Sequence, residues 1–176
     1  MPLNLLKTYP DLLELAYMSE RQRRASLEAV FNRDFQSDAQ LCFRGKPVRP
    51  FKTSDGQPAL ATLYHHLTTC EEDSEEGRKT RRRVFEQQRA ERLHWVAYHL
   101  EERSPERLII FSYEDRIDGR SVVRTYLYDK EEQYIIILQP YRTKSEYYLL
   151  TAYYLDRKYA KRQIEKKYKR RLNRIH

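Results

Sequence analysis

Four short hydrophobic runs follow one another in the second half of the chain: LIIFSY (108–113), SVVRTYLY (121–128), YIIILQ (134–139) and EYYLLTAYYL (146–155). Apolar and polar residues alternate within these runs, and a period of two predicts β-strands. The connections DRIDG, DKEE and PYRTK are too short for the crossover that parallel strands need, so neighbouring strands must be antiparallel. The pattern therefore predicts a four-stranded antiparallel meander.

A strongly basic segment follows the last run. Residues 157–176 contain ten Lys or Arg and one acidic residue, a net charge of +9, whereas the whole chain of 176 residues carries +8. Ile164, Tyr168, Leu172 and Ile175 recur at helical spacing, which predicts a helix that docks through a narrow apolar side and presents its cations outward. Clustered positive charge attracts a polyanion because binding releases its counterions. A solvated basic helix without a ligand is the alternative.

Helical patterns dominate the chain before the four runs. Residues 10–34 predict two short amphipathic helices, and Ser19 is a suitable N-cap for the second. Residues 84–103 predict one long helix, whose buried stripe is expected to consist of Ala90, Leu93, Val96, Ala97 and Leu100. Residues 43–57 hold two prolines and two glycines without periodicity, which predicts a loop or a linker.

Together these elements predict an α+β fold: N-terminal helices, then the four-stranded antiparallel meander with helices packed on one face, and a basic C-terminal helix. Residues 1–57 are interpreted as a helical and loop extension, and residues 58–176 as the main α+β domain. In this arrangement the second face of the sheet is free to bind a ligand.

Composition narrows the classes of function. Cys42 and Cys70 stand alone without metal-ligand spacing, so we expect no metal site, no disulfide framework and a reducing cytoplasmic location. The first residues lack the pattern of a signal peptide, and no apolar run approaches the length of a membrane span, so we expect no membrane partner. Glycine-rich phosphate loops, HExxH and GxSxG are also absent from the sequence. We therefore expect no cofactor.

The alternation within the strands indicates which polar side chains share a face. Arg124 and Tyr126 of the second run point away from the expected core, and so do Thr151 and Tyr153 of the fourth. A guanidinium binds phosphate bidentately, a Thr hydroxyl donates a hydrogen bond, and a Tyr can stack on a base or transfer a proton. If the two strands border one groove, these four residues form a phosphodiester-binding set, although Tyr and Thr are also common strand residues.

The same alternation sorts the other residues of the fourth run. Leu150 and Ala152 are expected in the core, and Tyr147 is expected opposite them, beside Thr151 and Tyr153.

Histidine is the usual proton carrier near neutral pH, and the chain has five. His94 lies about 100° around the predicted helix from Leu93, so we expect it at the edge of the groove, near Arg89 and Arg92. His65 and His66 are adjacent and therefore point to different sides of a helix, which argues against a shared metal.

A family resemblance covers about residues 84–172. The segments RAERLHWVAYHLEE, IIFSYEDR, GRSVVRTYLYD, YIIILQPYRTKSEYYLLTAYYL and KKYKRRL resemble nucleases of phages and mobile elements in the barnase, poly(U)-endonuclease, colicin and RelE-like superfamily. The resemblance implies a metal-independent endoribonuclease, a toxin or defence effector, in which the 2′-hydroxyl attacks the adjacent phosphate. It also implies that Arg124, Thr151, Tyr153 and Tyr154 are strand-borne site residues and that His94 is the helix-borne histidine.

The leading hypothesis is an endoribonuclease with His94, Arg124, Tyr126, Thr151 and Tyr153 as catalytic residues. RNA, with tRNA and mRNA as candidate classes, would be the substrate, and an antitoxin or immunity protein a further partner. The substrate-binding residues would be Arg89, Arg92, Arg142, Lys144, Tyr154, Lys166, Lys167, Arg170 and Arg171. A non-catalytic module that binds RNA through stacked tyrosines and cations is the first alternative. A basic helix that docks an acidic protein is the second.

Overall fold

The structure, a computed structural model, describes residues 3–36, 40–50, 59–71, 83–141 and 145–176 and has an α+β architecture. The described helices are α1 (Glu20–Phe35), α2 (Ala59–Thr68), α3 (Gln87–Ala90), α4 (Trp95–Leu100) and α5 (Lys158–Lys169), with 3₁₀ turns at Leu3–Leu6 and Pro105–Arg107. The described strands are β1 (Cys42–Phe43), β2 (Lys46–Pro50), β3 (Thr69–Glu71), β4 (Arg83–Phe85), β5 (Leu108–Ile117), β6 (Arg120–Asp129), β7 (Tyr134–Tyr141) and β8 (Glu146–Tyr154).

The four predicted runs form β5 to β8, and each pairs antiparallel with the next. Asp118 and Gly119 join β5 to β6 with positive φ angles of 48° and 76°, the backbone that a two-residue hairpin turn requires. The meander is part of a larger mixed sheet, with the order β1-β2-β8-β7-β6-β5 and β2 parallel to β8.

The loop predicted for residues 43–57 is wrong for its first half. Phe43 ends β1, Arg44 and Gly45 turn the chain with φ angles of 50° and 74°, and β2 begins at Lys46. Residues 51–57 of that prediction lie outside the described part of the chain. Strands from both sides of the predicted boundary at residue 57 therefore share one sheet.

The helices also differ from the predicted ones. Ser19 caps α1 in a capping box with Gln22, as expected, but residues 10–18 contain no helix. Residues 84–103 are not one helix: β4 ends at Phe85, the Glu86 side chain caps α3, and a tight turn precedes α4. That turn uses i to i−3 hydrogen bonds, such as the 3.0 Å bond from Trp95 N to the Arg92 carbonyl. Four residues of the predicted stripe are nevertheless buried: Ala90, Leu93, Val96 and Leu100.

Helices cover both faces of the sheet, so the prediction that they pack on one face is wrong. On the first face, Leu127, Ile136 and Leu149 join the core formed with α1 to α4. On the second face, Tyr126, Ile135 and Ile137 pack with Phe111, Leu155 and Ile164, and Ile164 belongs to α5. The apolar side of α5 docks as expected, with Tyr168 edge-on to Phe111, but it docks on the face expected to be free.

A β-bulge in β8 changes which residues share a face. Ile137 is opposite Thr151 and Leu138 is opposite Leu149, so Leu150 is an extra residue in β8. The bulge shifts the alternation by one residue between Leu149 and Thr151. Tyr147 therefore lies on the first face, and Leu150 packs on the second face with Tyr153. The expected positions of Tyr147 and Leu150 are therefore wrong.

Candidate functional site: an arginine cleft on the sheet

A cleft of about 320 Å³ opens on the second face of the sheet, beside the part that α5 covers. Strand β8 forms one side, and α2, α3 and the β3-β4 ribbon form the other. We call it the arginine cleft, and its lining residues are His66, Cys70, Glu71, Arg83, Arg89, Arg124, Ile137, Leu150, Thr151 and Tyr153.

The sheet contributes three of the residues predicted from alternation. Arg124 of β6 and Thr151 and Tyr153 of β8 all line the cleft, so their predicted proximity is observed. Strand β2 pairs only with Tyr147–Leu149 of β8, and the rest of β8 extends past it toward α2 and α3. The catalytic roles of these residues remain predictions.

Arg89 approaches the same residues from α3. Its Nη1 donates to the His66 carbonyl at 2.8 Å and contacts the Thr151 hydroxyl at 3.4 Å, and its guanidinium lies 5.2 Å from the centre of the Tyr153 ring. Burial lowers the pKa of Arg89, although the group stays charged near neutral pH because its ordinary pKa is so high. Arg89 was predicted to bind substrate, and the structure places it in the cleft.

Arg83 completes a group of three guanidinium ions and was not predicted from the sequence. Its Nε donates to the Thr69 hydroxyl at 2.9 Å and its Nη2 to the Thr69 carbonyl at 2.8 Å. These contacts hold the side chain against the β3-β4 ribbon, with Nη1 3.7 Å from a carboxylate oxygen of Glu71.

Carboxylates offset the charge of the three arginines from a distance. The shortest ion-pair distances are 3.7 Å for Arg83 with Glu71, 3.8 Å for Arg89 with Glu86 and 4.0 Å for Arg124 with Asp115. All three exceed the hydrogen-bond range of roughly 2.7–3.2 Å, so the acids do not occupy the N–H donors. Among the described residues, the buried Nε atoms of Arg89 and Arg124 have no hydrogen-bond partner. The cleft favours an anion because three guanidinium groups line it and their carboxylate partners among the described residues lie beyond hydrogen-bond distance.

His66 is the histidine of the cleft. Its Nδ1 lies 3.3 Å from the Leu150 carbonyl, and a proton on Nδ1 would donate to that oxygen and leave Nε2 as an acceptor. Burial, and then the charge of Arg83, lowers the pKa of His66, so the ring is neutral near pH 7. Sequence reasoning missed this residue. The available signal was its position beside Leu63 and Leu67 on α2, but only the tertiary fold brings α2 next to β8.

His94 lies elsewhere, so its predicted place in the groove is wrong. It is 4% exposed and borders a different cavity with Thr8, Tyr9 and Arg33. Burial, and then the charge of Arg33, lowers its pKa to about 4. The physical reason is the tight turn between α3 and α4, which removes His94 from the continuous helix that was expected to aim it at the groove.

Tyr126 is on the predicted face but is fully buried and does not line the cleft. Its hydroxyl donates to Asp115 Oδ2, and Phe111 stacks on its ring at 5.0 Å. Burial raises its pKa, so the phenol stays protonated, and because it is fully buried outside the cleft it cannot reach a ligand there. Asp115 also accepts from Lys167 Nζ at 2.5 Å, which ties α5 to the sheet.

The other predicted substrate-binding residues fall into three groups. Arg92 and Tyr154 stack on each other at 4.3 Å outside the cleft. Arg142 and Lys144 lie outside the described residues. The basic residues of the C-terminal helix and its end are mostly exposed, with Lys167 half-buried against Asp115; they are Lys166, Lys167, Arg170 and Arg171.

Comparisons of the chain with protein-family models, curated proteins and solved structures found no match. Within the described residues, no group of three or more His, Cys, Asp or Glu side chains is arranged to hold a metal ion. The same residues contain no helix long and apolar enough to cross a membrane.

Proposed function

We propose that this protein is a metal-independent endoribonuclease and that the arginine cleft binds the scissile phosphate. One observation carries the proposal: Arg89, Arg124, Thr151 and a neutral His66 line one cleft. Guanidinium groups whose carboxylate partners lie 3.8 and 4.0 Å away favour a phosphate, and a neutral imidazole within reach can accept a proton.

The proposed reaction is a transfer within the RNA strand. His66 Nε2 accepts the proton of the 2′-hydroxyl, the 2′-oxygen forms a bond to phosphorus, and the bond from phosphorus to the 5′-oxygen breaks. Arg89 and Arg124 stabilise the charge on the non-bridging oxygens. Burial raises the pKa of Tyr153, so its phenol stays protonated and can supply the proton that the 5′-oxygen takes up. The products are a 2′,3′-cyclic phosphate and a 5′-hydroxyl.

The exposed cations of α5 would hold the rest of the RNA strand. Lys166 and Lys169 are exposed along this helix, and Ile164 keeps its opposite side on the sheet. Such contacts bind phosphates regardless of base sequence, and their strength falls steeply with salt.

The test is cleavage of total RNA by the purified protein in EDTA, with Arg124→Ala compared against Arg120→Ala. Arg120 begins the same strand and is exposed, so this control removes an equal charge outside the cleft. We expect Arg124→Ala to lower kcat at least about 10²-fold, because it removes charge stabilisation at the phosphate, and Arg120→Ala to cleave normally.

The experiment also measures the chemical ends of the RNA fragments and the binding of RNA by the variant. Wild-type fragments should carry 2′,3′-cyclic phosphates by mass spectrometry, and Arg124→Ala should still bind RNA through α5. If the wild type binds RNA and leaves it intact, the enzyme is ruled out in favour of the non-catalytic RNA-binding module. Cleavage that persists in Arg124→Ala would place the active site outside this cleft.

A further inference from the structure

Asp115 connects the arginine cleft to the basic helix. This carboxylate of β5 is 8% exposed and contacts groups from two other elements. Its Oδ1 accepts from Lys167 Nζ of α5 at 2.5 Å, and its Oδ2 accepts from the Tyr126 hydroxyl. The same Oδ2 lies 4.0 Å from Nη1 of Arg124, which lines the cleft.

The two cations depend on this one acid. Lys167 and Arg124 come from different elements, and each has its ion pair with Asp115. A buried charge is stable only when it is paired, so removing Lys167 leaves Arg124 as the remaining ion-pair partner of Asp115, and removing Asp115 takes the ion pair from both cations. Arg124 Nε is buried without a hydrogen-bond partner among the described residues, so this atom does not help to hold the guanidinium in place.

We infer that Asp115 is a positioning residue that couples the docking of α5 to the orientation of Arg124. Lys167 neutralises one side of the carboxylate, so Oδ2 attracts Arg124 only weakly and over 4.0 Å. When a phosphate enters the cleft, Arg124 moves from Asp115 to the phosphate. Lys167 then still neutralises the Asp115 carboxylate. The RNA part of this inference rests on the proposed function, whereas the link from Lys167 to Arg124 does not.

The link can be measured without RNA by ¹⁵N NMR of the arginine Nε–Hε groups in the full chain. The Arg124 resonance is assigned by its loss in Arg124→Lys. Lys167→Met should shift or broaden this resonance, because Asp115 then turns toward Arg124. Lys169→Met is the matched control, since Lys169 is exposed on the same helix and should leave the resonance unchanged. An Arg124 resonance that is identical in wild type and Lys167→Met would overturn the inference.

A second variant covers the case in which Lys167→Met does not fold. Asp115→Asn keeps the shape of the side chain and an oxygen acceptor but removes the charge, and Glu114→Gln makes the same charge change at the exposed neighbouring position. In Asp115→Asn the Arg124 resonance should shift, and addition of inorganic pyrophosphate should move it at lower concentration than in wild type. A wild-type resonance in Asp115→Asn would equally overturn the link.

RNA cleavage provides the functional readout. Asp115→Asn should lower kcat by about 10- to 10²-fold, because a displaced guanidinium no longer fits the transition state. KM should change less than about threefold, since the exposed cations of α5 still bind the strand. An equal loss in kcat and in RNA affinity would indicate a structural role only. If the wild type does not cleave RNA, the proposed function fails, while the NMR result still decides the link.

Discussion

The arginine cleft and a buried cluster under the opposite face of the sheet contain similar groups in different surroundings. The buried cluster, called here the Asp129 cluster, consists of Tyr9, His99, Arg107 and Asp129. Tyr9 donates to Asp129 at 2.5 Å, and His99 Nε2 lies 3.5 Å from the same carboxylate oxygen. Asp129 is fully buried and His99 is 1% exposed, whereas the cleft is open to solvent.

Both regions contain a histidine whose pKa is lowered mainly by burial, so a shifted pKa alone does not distinguish them. Access to solvent does distinguish them. The Asp129 cluster has a carboxylate at its centre and three neighbouring groups directed at it, which closes it to a ligand. The cleft has three guanidinium groups on an open lining, and their ion-pair distances to carboxylates are 3.7, 3.8 and 4.0 Å. We therefore expect substitutions in the cleft to affect activity and substitutions in the Asp129 cluster to affect stability.

The largest expected effect is the loss of cleavage in His66→Gln. A positioned proton carrier contributes roughly 10² to 10⁴ in rate, so kcat should fall by that factor, with a change in unfolding free energy below about 1 kcal/mol. His65→Gln is the control, because His65 is the adjacent residue of α2 and is exposed. Single-turnover cleavage and urea unfolding give both quantities, and full activity in His66→Gln would exclude it as the base.

The pH dependence of the cleavage rate is a second test of His66 as the base. His66 acts only when neutral, and burial lowers its pKa from the ordinary value of 6.5. The rate should therefore be constant near pH 7 and fall only at pH values below 6.5, as the ring becomes protonated. A rate that falls with an apparent pKa above 6.5 would point to another group.

The second effect should appear in the Asp129 cluster. Asp129→Ala removes the carboxylate that Tyr9, His99 and Arg107 face and should lower the unfolding free energy by about 2–5 kcal/mol, since it leaves the buried Tyr9 hydroxyl and His99 ring without that partner, at roughly 1–3 kcal/mol for each buried polar group. Asp156→Ala, at an exposed acid, is the control. Urea unfolding measures the loss, and cleavage per folded molecule should remain normal. If Asp129→Ala cleaves RNA poorly but unfolds at the same urea concentration as the wild type, the cluster affects activity and not stability, and the expected difference between the two regions is wrong.

The sequence predicts the strands of the sheet more completely than it predicts the arginine cleft. Short connections determine antiparallel pairing, so β5 to β8 followed from the sequence, as did the cap at Ser19. The cleft was predicted in part, because alternation placed Arg124 and Thr151 on one face. The bulge at Leu150 was not predictable, since one extra residue within LLTA leaves the hydrophobic pattern intact. His66 and Arg83 reach the cleft only through contacts between distant elements.

A third effect is a loss of stability in mild acid that comes from His94. Its pKa is about 4 in the folded protein and ordinarily 6.5, so between these values the unfolded chain binds more protons than the folded one. The contribution of His94 to the unfolding free energy is therefore fully present above pH 6.5 and decreases as the pH drops below 6.5. At about pH 5 the loss from this one residue should be on the order of 2 kcal/mol. His94→Gln should reduce the difference in urea midpoint between about pH 7 and pH 5, whereas His65→Gln should not.

The smallest effect is expected from substitutions of the exposed cations of α5, which should weaken RNA binding without changing the rate of cleavage. The double variant Lys166→Gln with Arg170→Gln should weaken RNA binding by a few-fold, because each lost phosphate contact removes about 0.7 from the slope of log K against log salt on a single strand. Both residues are exposed, and neither lines the cleft. Turnover at saturating RNA should be unchanged.

The control for this pair is Arg21→Gln with Lys130→Gln, which removes the same charge from exposed positions outside the basic helix. Fluorescence anisotropy across a salt series compares the two double variants. A difference in slope of about 1.4 would show that α5 contacts two phosphates directly. Equal slopes would mean that α5 acts only through net charge, and the arginine cleft alone would then have to account for RNA binding.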